Sequence, residues 1–186
     1  MPNGIADNPT RKTGLRFAAG LLLFCFLVIA GESRAEGDYL SPAAFLQEAF
    51  DGDEPNTSMI WLTGEKGDAV KEILGHSPRS LRVRYWQQGE RTAWILDEIG
   101  REKPITAGFV IENGVMKQVR VLVFRESRGW EVRHEFFTEQ FDDATLEDDR
   151  QLDRSIDNIT GATMSVSAMK RMARVALYLD RKARED

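Results

Sequence analysis

Cysteine is nearly absent: the 186-residue sequence contains one, Cys25, inside an apolar run close to the N-terminus. A single thiol cannot close an intramolecular disulfide, and it cannot supply a thiolate zinc site, an iron–sulfur cluster or a C-x-x-C-H haem attachment. Histidine is almost as scarce, with only His76 and His134. His134-Glu135 begins like an H-E-x-x-H zinc helix, but Thr138 stands where the second histidine would be. The sequence therefore predicts no metal site.

Positive charge is in deficit as well, with 25 Lys and Arg against 30 Asp and Glu and a net charge of −5. An acidic body repels a phosphate backbone, so nucleic acid is excluded as a partner. Much of the excess lies in the connector 142–154. We expect this connector to present a solvated acidic face.

The N-terminal segment has the three parts of a secretory signal peptide. Residues 11–16 are basic, residues 17–29 are apolar, and small residues precede a polar start after Ala35. The apolar run is shorter than the roughly 20 residues that cross a bilayer. We predict a signal peptide over 1–35 and a periplasmic or otherwise extracytoplasmic location. An uncleaved membrane anchor is the alternative.

The remaining pattern predicts an α+β fold, an antiparallel sheet with a C-terminal helix packed on it. Asn113-Gly114 is the strongest turn signal, because both central residues of a tight hairpin need positive φ. Trp86, Trp94 and Trp130 are core candidates. Residues 36–100 have no recognisable affiliation and are expected to pack with a domain over 101–186. The predicted helices are 42–50, 68–74 and 166–182; the predicted strands are 59–62, 81–86, 92–96, 105–111 and 115–124.

The segment Asp157–Ser165, DNITGATMS, combines small residues with hydroxyls where a helix is predicted to begin. Free N–H groups at a helix start favour phosphate, and small residues allow a bulky group to approach the backbone. An ordinary helix start, with Asp157, Thr160 or Ser165 as N-cap, fits the same residues.

The spacing D-x-x-T-G-A-T resembles the flavinylation signature of the FMN-binding domain family, which includes periplasmic subunits of the sodium-translocating NADH:quinone reductase. The resemblance implies that Thr163 carries FMN through a phosphoester, attached by a flavin transferase that uses FAD and releases AMP. Asp157 matches the leading acid of the signature. Thr160, Gly161 and Ala162 match its recognition core, and Ser165 is the rival acceptor.

The resemblance extends over roughly 104–180. Residues 108–124 resemble the family hairpin, and 137–141 resemble its aromatic stretch. Glu126–Gly129, called here the ESRG element, resembles a family E-T-x-G element and implies that Glu126 and Ser127 contact the cofactor. Ser127 departs from the usual threonine. Trp130, next to this element, is a candidate for contact with the flavin.

No residue set resembles a general base beside a substrate pocket, so we assign no catalytic residue. The resemblance implies an electron-transfer flavoprotein rather than a substrate-converting enzyme, acting in an extracytoplasmic redox chain. Its partner would be membrane-bound, such as a cytochrome or a quinone-linked complex. The alternatives are a noncovalent FMN-binding regulatory module and a flavin-free adaptor.

Overall fold

The computed structural model describes residues 39–185, so the predicted signal peptide and its cleavage site lie outside the described residues. Four α-helices are α1 (Pro42–Ala49), α2 (Gly64–Leu74), α3 (Glu135–Thr138) and α4 (Thr163–Glu185). Five strands are β1 (Asn56–Trp61), β2 (Arg82–Gln88), β3 (Arg91–Ile99), β4 (Pro104–Glu112) and β5 (Val115–Phe124). Short 3₁₀ turns occupy Trp130–Arg133 and Glu139–Phe141.

The strands form one antiparallel sheet in the order β1-β2-β3-β4-β5, so every strand pairs with its neighbour in sequence. The β4–β5 hairpin turns at Asn113 and Gly114, whose φ angles are 54° and 78°. The predicted α+β class, with its antiparallel sheet and C-terminal helix, is confirmed. Residues 56–99 supply three of the five strands and share the sheet with 104–124. Division of the chain at residues 36 and 101 stays a prediction.

Helices cover both faces of the sheet. On one face α4 packs with α2 over a core that includes Trp94 and Phe109. On the other face Phe45 of α1 lies over β4. Gly108 makes that contact possible, because a Cβ there would lie 2.5 Å from the Phe45 ring. The long axis of α4 and the ends of β3 to β5 thus hold a common end of the molecule in place.

Several boundaries differ from the sequence prediction. β1 begins three residues earlier than expected, at Asn56, and α4 begins at Thr163 instead of Val166. The acidic connector is not wholly solvated, because Ala144 and Leu146 are buried. The short helical turns after Gly129 had no clear periodicity in the sequence; burial of aromatic side chains around Phe137 holds them.

Capping signals near the helix ends were read correctly. The Ser41 hydroxyl accepts a hydrogen bond from the Ala44 N–H at 3.1 Å, as an N-cap does, and Pro42 is the first residue of α1. Gly75 ends α2 with a φ of 79°, a conformation that L-residues rarely adopt. Local chemistry therefore defines these ends without help from the tertiary structure.

Candidate functional site

The first turn of α4 has no side-chain cap. Gly161 reverses the chain with a φ of 85°, and Ala162 at the cap position has no side-chain oxygen. The first helical hydrogen bond runs from the Val166 N–H to the Ala162 carbonyl at 2.9 Å. Among the hydrogen bonds of residues 39–185, none satisfies the backbone N–H groups of 163–165. These donors, at the positive end of a 23-residue helix, suit an anion.

This helix start forms one wall of a cavity of about 440 Å³. The volume lies within the roughly 300–1,000 Å³ of typical small-molecule and cofactor sites. Three segments that are distant in sequence meet here: the β3–β4 loop, the stretch after β5, and the start of α4. The lining residues are Arg101, Glu102, Glu126, Ser127, Arg128, Gly161, Ala162, Thr163, Met164 and Ser165.

Glu126 holds the β3–β4 loop in place. Its Oε1 accepts the backbone N–H groups of Arg101, Glu102 and Lys103 at 2.5, 2.7 and 2.9 Å. Partial burial tends to raise the pKa of this carboxyl, but the three N–H donors and the Lys103 charge outweigh it and lower the pKa. Glu126 therefore positions the cavity wall through the loop.

Gly129 joins the ESRG element to α4. Its φ is 82°, and a Cβ on it would lie 2.5 Å from the Ser165 Oγ and 3.4 Å from the Ala162 Cα. Ser165 is 3 % exposed beneath this contact. The close approach of two backbones thus fixes Ser127 and Arg128 beside the first turn of α4.

Of the hydroxyls in the motif, Ser165 is buried, whereas Thr160 and Thr163 are exposed. Only Thr163 is both exposed and part of the cavity wall. Thr160 and Asp157 are exposed outside the cavity lining, and the Asp157 N–H donates to the Gln140 Oε1 at 2.7 Å. The cavity thus unites six of the eight site residues predicted from the sequence.

Because α4 begins directly after Ala162, none of Asp157, Thr160 and Ser165 occupies the cap position. The interpretation of the motif as an ordinary capped helix start is therefore wrong.

Sequence reasoning missed Arg101, Glu102 and a role for Arg128. The signal available was weak: Gly100 and Pro104 bracket a short basic loop. Gly100 lies close to Glu126, since a Cβ on it would be 2.9 Å from the Oε1. The two arginines add positive charge to the cavity wall beside the exposed Thr163 hydroxyl.

The tryptophans divide. Trp94 is fully buried and stacks on Tyr85 with ring centroids 4.6 Å apart. Trp130 is 46 % exposed, so its assignment to the core is wrong. It makes an edge contact with His134 at 5.1 Å and receives the Arg133 guanidinium at 5.0 Å. Trp130 does not line the cavity, although it directly follows Gly129.

Other kinds of site are absent from the described part of the chain. Residues 39–185 contain no group of three or more His, Cys, Asp or Glu side chains that could hold a metal ion. In the same residues, no helix combines the length and apolarity needed to cross a membrane.

Residues 100–178 match the family model of the FMN-binding domain. The match runs from the end of β3 into α4 and includes every residue that lines the cavity. Searches of curated proteins and of solved structures found no significant match. The match covers the hairpin, the ESRG element and the T-G-A-T motif on which the resemblance rests. Through residues 100–178, the chain belongs to the FMN-binding domain family.

Proposed function

We propose that this protein carries FMN covalently on Thr163 and relays electrons in an extracytoplasmic redox chain. The observation that carries the proposal is the position of Thr163, an exposed residue in the wall of a cavity where the uncapped start of α4 meets the ESRG element. FMN binding itself follows from the family. The covalent bond, the export and the redox partner are the additional steps proposed here.

The residues present fit a phosphorylated cofactor. Unsatisfied N–H groups of the first α4 turn and the charges of Arg101 and Arg128 would hold a phosphate next to the Thr163 hydroxyl. The carboxylate of Glu126 keeps the β3–β4 loop at the opposite wall. When bound, FMN supplies reversible one- and two-electron transfer, and the protein supplies attachment, orientation and electrostatics.

Attachment requires a second enzyme, because a threonine hydroxyl is a weak nucleophile at neutral pH. The Thr163 Oγ1 would form a bond to the phosphorus of the FMN half of FAD. The phosphoanhydride bond breaks, AMP leaves with the electron pair, and the hydroxyl proton passes to a base on the flavin transferase. Exposure of Thr163 and the surrounding Thr160 and Gly161 leaves room for that enzyme. The buried Ser165 lacks such access.

Co-expression with a flavin transferase tests the site directly. Intact mass should rise by FMN less one water, and the denatured band should fluoresce in a gel. Thr163→Ala should abolish both signals, Thr163→Ser should reduce them, and Asp157→Ala should impair labelling. Ser165→Ala is the matched control and should keep full labelling. Covalent flavin on the Thr163→Ala protein would show that the acceptor is another residue.

The same experiment separates the alternative function. A noncovalent regulatory module would copurify with FMN that leaves on denaturation. For the relay, the loaded protein should be reduced and reoxidised by artificial redox dyes, yet oxidise NADH only slowly by itself. Rapid NADH oxidation without a partner would instead establish an enzyme.

Export rests on the basic and apolar segment at residues 11–35. Mass spectrometry of the periplasmic fraction should find Glu36 as the N-terminus. Recovery of the protein only in membranes, with the first residues intact, would show that the segment is an anchor. A membrane-bound cytochrome or quinone-linked complex is the proposed electron partner in either case.

A further inference from the structure

β2 and β3 separate along half of their length. They pair from Tyr85 with Trp94 to Gln88 with Arg91, next to their connecting turn. Beyond these pairs β2 stays bonded to β1 through Arg82, and β3 stays bonded to β4 through Ile99. The two strands therefore diverge inside the sheet and leave a gap, called here the β2–β3 cleft.

The β2–β3 cleft is a cavity of about 790 Å³. Side chains alternate between the two faces of a strand, and residues of both faces contribute, so the cavity extends through the sheet. Leu62, Val70, Leu74, Met172 and Val175 form an apolar lining on the side of α2 and α4. Met59, Trp86 and Ile95 continue it on the side of α1. A long apolar group would find hydrocarbon contacts along the whole passage.

The charged lining is predominantly positive. Arg79, Arg82, Arg84 and Arg125 all line the cleft. The first three form no ion pair with any residue between 39 and 185, and Arg125 donates only to the neutral oxygens of Pro104 and Thr106. Four uncompensated guanidinium groups around one cavity are conspicuous in a protein with a net charge of −5.

The two carboxylates of the lining are already engaged. Glu98 is 4 % exposed and accepts hydrogen bonds from Arg171 and His76, each at 3.0 Å. Asp97 accepts the Thr106 hydroxyl at 2.5 Å. Neither carboxylate pairs with the arginines of the cleft, so those arginines remain free to receive an anionic group.

We propose that the β2–β3 cleft binds a single-chain amphipathic anion, of which a long-chain carboxylate is the simplest form. Its tail lies against the apolar lining, and its head group meets Arg82, Arg84 or Arg125, which can hold a carboxylate by charge-assisted bidentate hydrogen bonds. The site is independent of the flavin, since the two cavities share no lining residue.

Dansyl-labelled undecanoate, whose fluorescence rises in an apolar environment, is the probe for the purified protein. Dodecanoate should displace it, while dodecanol and dodecyltrimethylammonium should compete about tenfold less well, as expected for loss of a single charge-assisted contact. Loading the protein with FMN should leave the affinity unchanged. Equal displacement by all three compounds, or loss of probe binding on FMN loading, would overturn the proposal.

Variants locate the probe. Arg82→Ala combined with Arg84→Ala should weaken binding about tenfold, and Leu96→Trp, within the cleft, should block it. Lys117→Ala combined with Arg120→Ala is the matched control, because it removes the same charge from β5 outside the cleft. Circular dichroism establishes that each variant is folded. An equal loss in the control pair, or binding to phosphatidylglycerol vesicles without displacement by dodecanoate, would contradict a site in the cleft.

Discussion

Two glycines of the flavin cavity have the same backbone conformation but different surroundings. The φ angles of Gly129 and Gly161 are 82° and 85°. A Cβ at Gly161 would meet nothing within 4 Å, whereas a Cβ at Gly129 would lie 2.5 Å from the Ser165 Oγ and 3.2 Å from its Cβ. Alanine at either position therefore incurs the same backbone strain. Only at Gly129 does it also force the ESRG element away from α4.

The magnitudes follow from these two contributions. A left-handed conformation costs an L-residue about 1–2 kcal/mol, so Gly161→Ala should lower the free energy of unfolding by that amount. Overpacking adds about 1–3 kcal/mol, so Gly129→Ala should lose about 2–5 kcal/mol. For a domain of this size each kcal/mol changes Tm by about 2–4 °C. The difference between the two variants is thus measurable.

Urea unfolding followed by tryptophan fluorescence is the assay, with covalent flavin labelling as a second readout. Adding Ser165→Ala to Gly129→Ala removes the nearest atom but leaves the Ser165 Cβ contact, so it should recover part of the loss. Gly129→Ala should also label less well than its stability predicts, since the cavity wall is displaced. Equal destabilisation by Gly129→Ala and Gly161→Ala, or no recovery in the double variant, would refute the inferred contact.

Two further predictions concern pH. Glu126→Gln keeps an acceptor for the β3–β4 loop but loses the charge, which should cost about 1 kcal/mol after allowance for solvent exposure. Because folding lowers the pKa of Glu126, its contribution is present above the unfolded pKa of about 4.3 and disappears as the pH falls through the folded value; urea unfolding across acidic pH should show a shallower dependence in the variant, and an unchanged dependence would count against the loop contacts. The hydrogen bond to Glu98, with a further one to the Ser77 carbonyl, raises the pKa of His76. The corresponding stability is present below the unfolded pKa of about 6.5 and is lost as the pH rises through the folded value. Titration of the His76 ring by NMR should show the raised pKa, and Glu98→Gln should bring it down; an identical titration in that variant would exclude the pairing.

Sequence alone determined the features that depend on neighbouring residues. Asn113-Gly114 specifies its turn because of the positive φ at both positions, and Gly75 ends α2 for the same reason. The D-x-x-T-G-A-T spacing singled out Thr163 and the family, and the match over 100–178 confirms the family. The sequence also placed a helix after the motif, although three residues too late, because Thr163 and Met164 do not belong to its apolar face.

Only the tertiary structure decided which distant residues accompany Thr163. Arg101 lies far from the motif in sequence and reaches the cavity because Glu126 binds the backbone of its loop. Burial of Ser165 follows from the approach of Gly129 across some 35 residues of intervening chain. The β2–β3 cleft is likewise invisible in the sequence, since both strands have ordinary strand patterns and the gap depends on how β1 and β4 hold them apart. Such contacts depend on packing between elements, which no local pattern encodes.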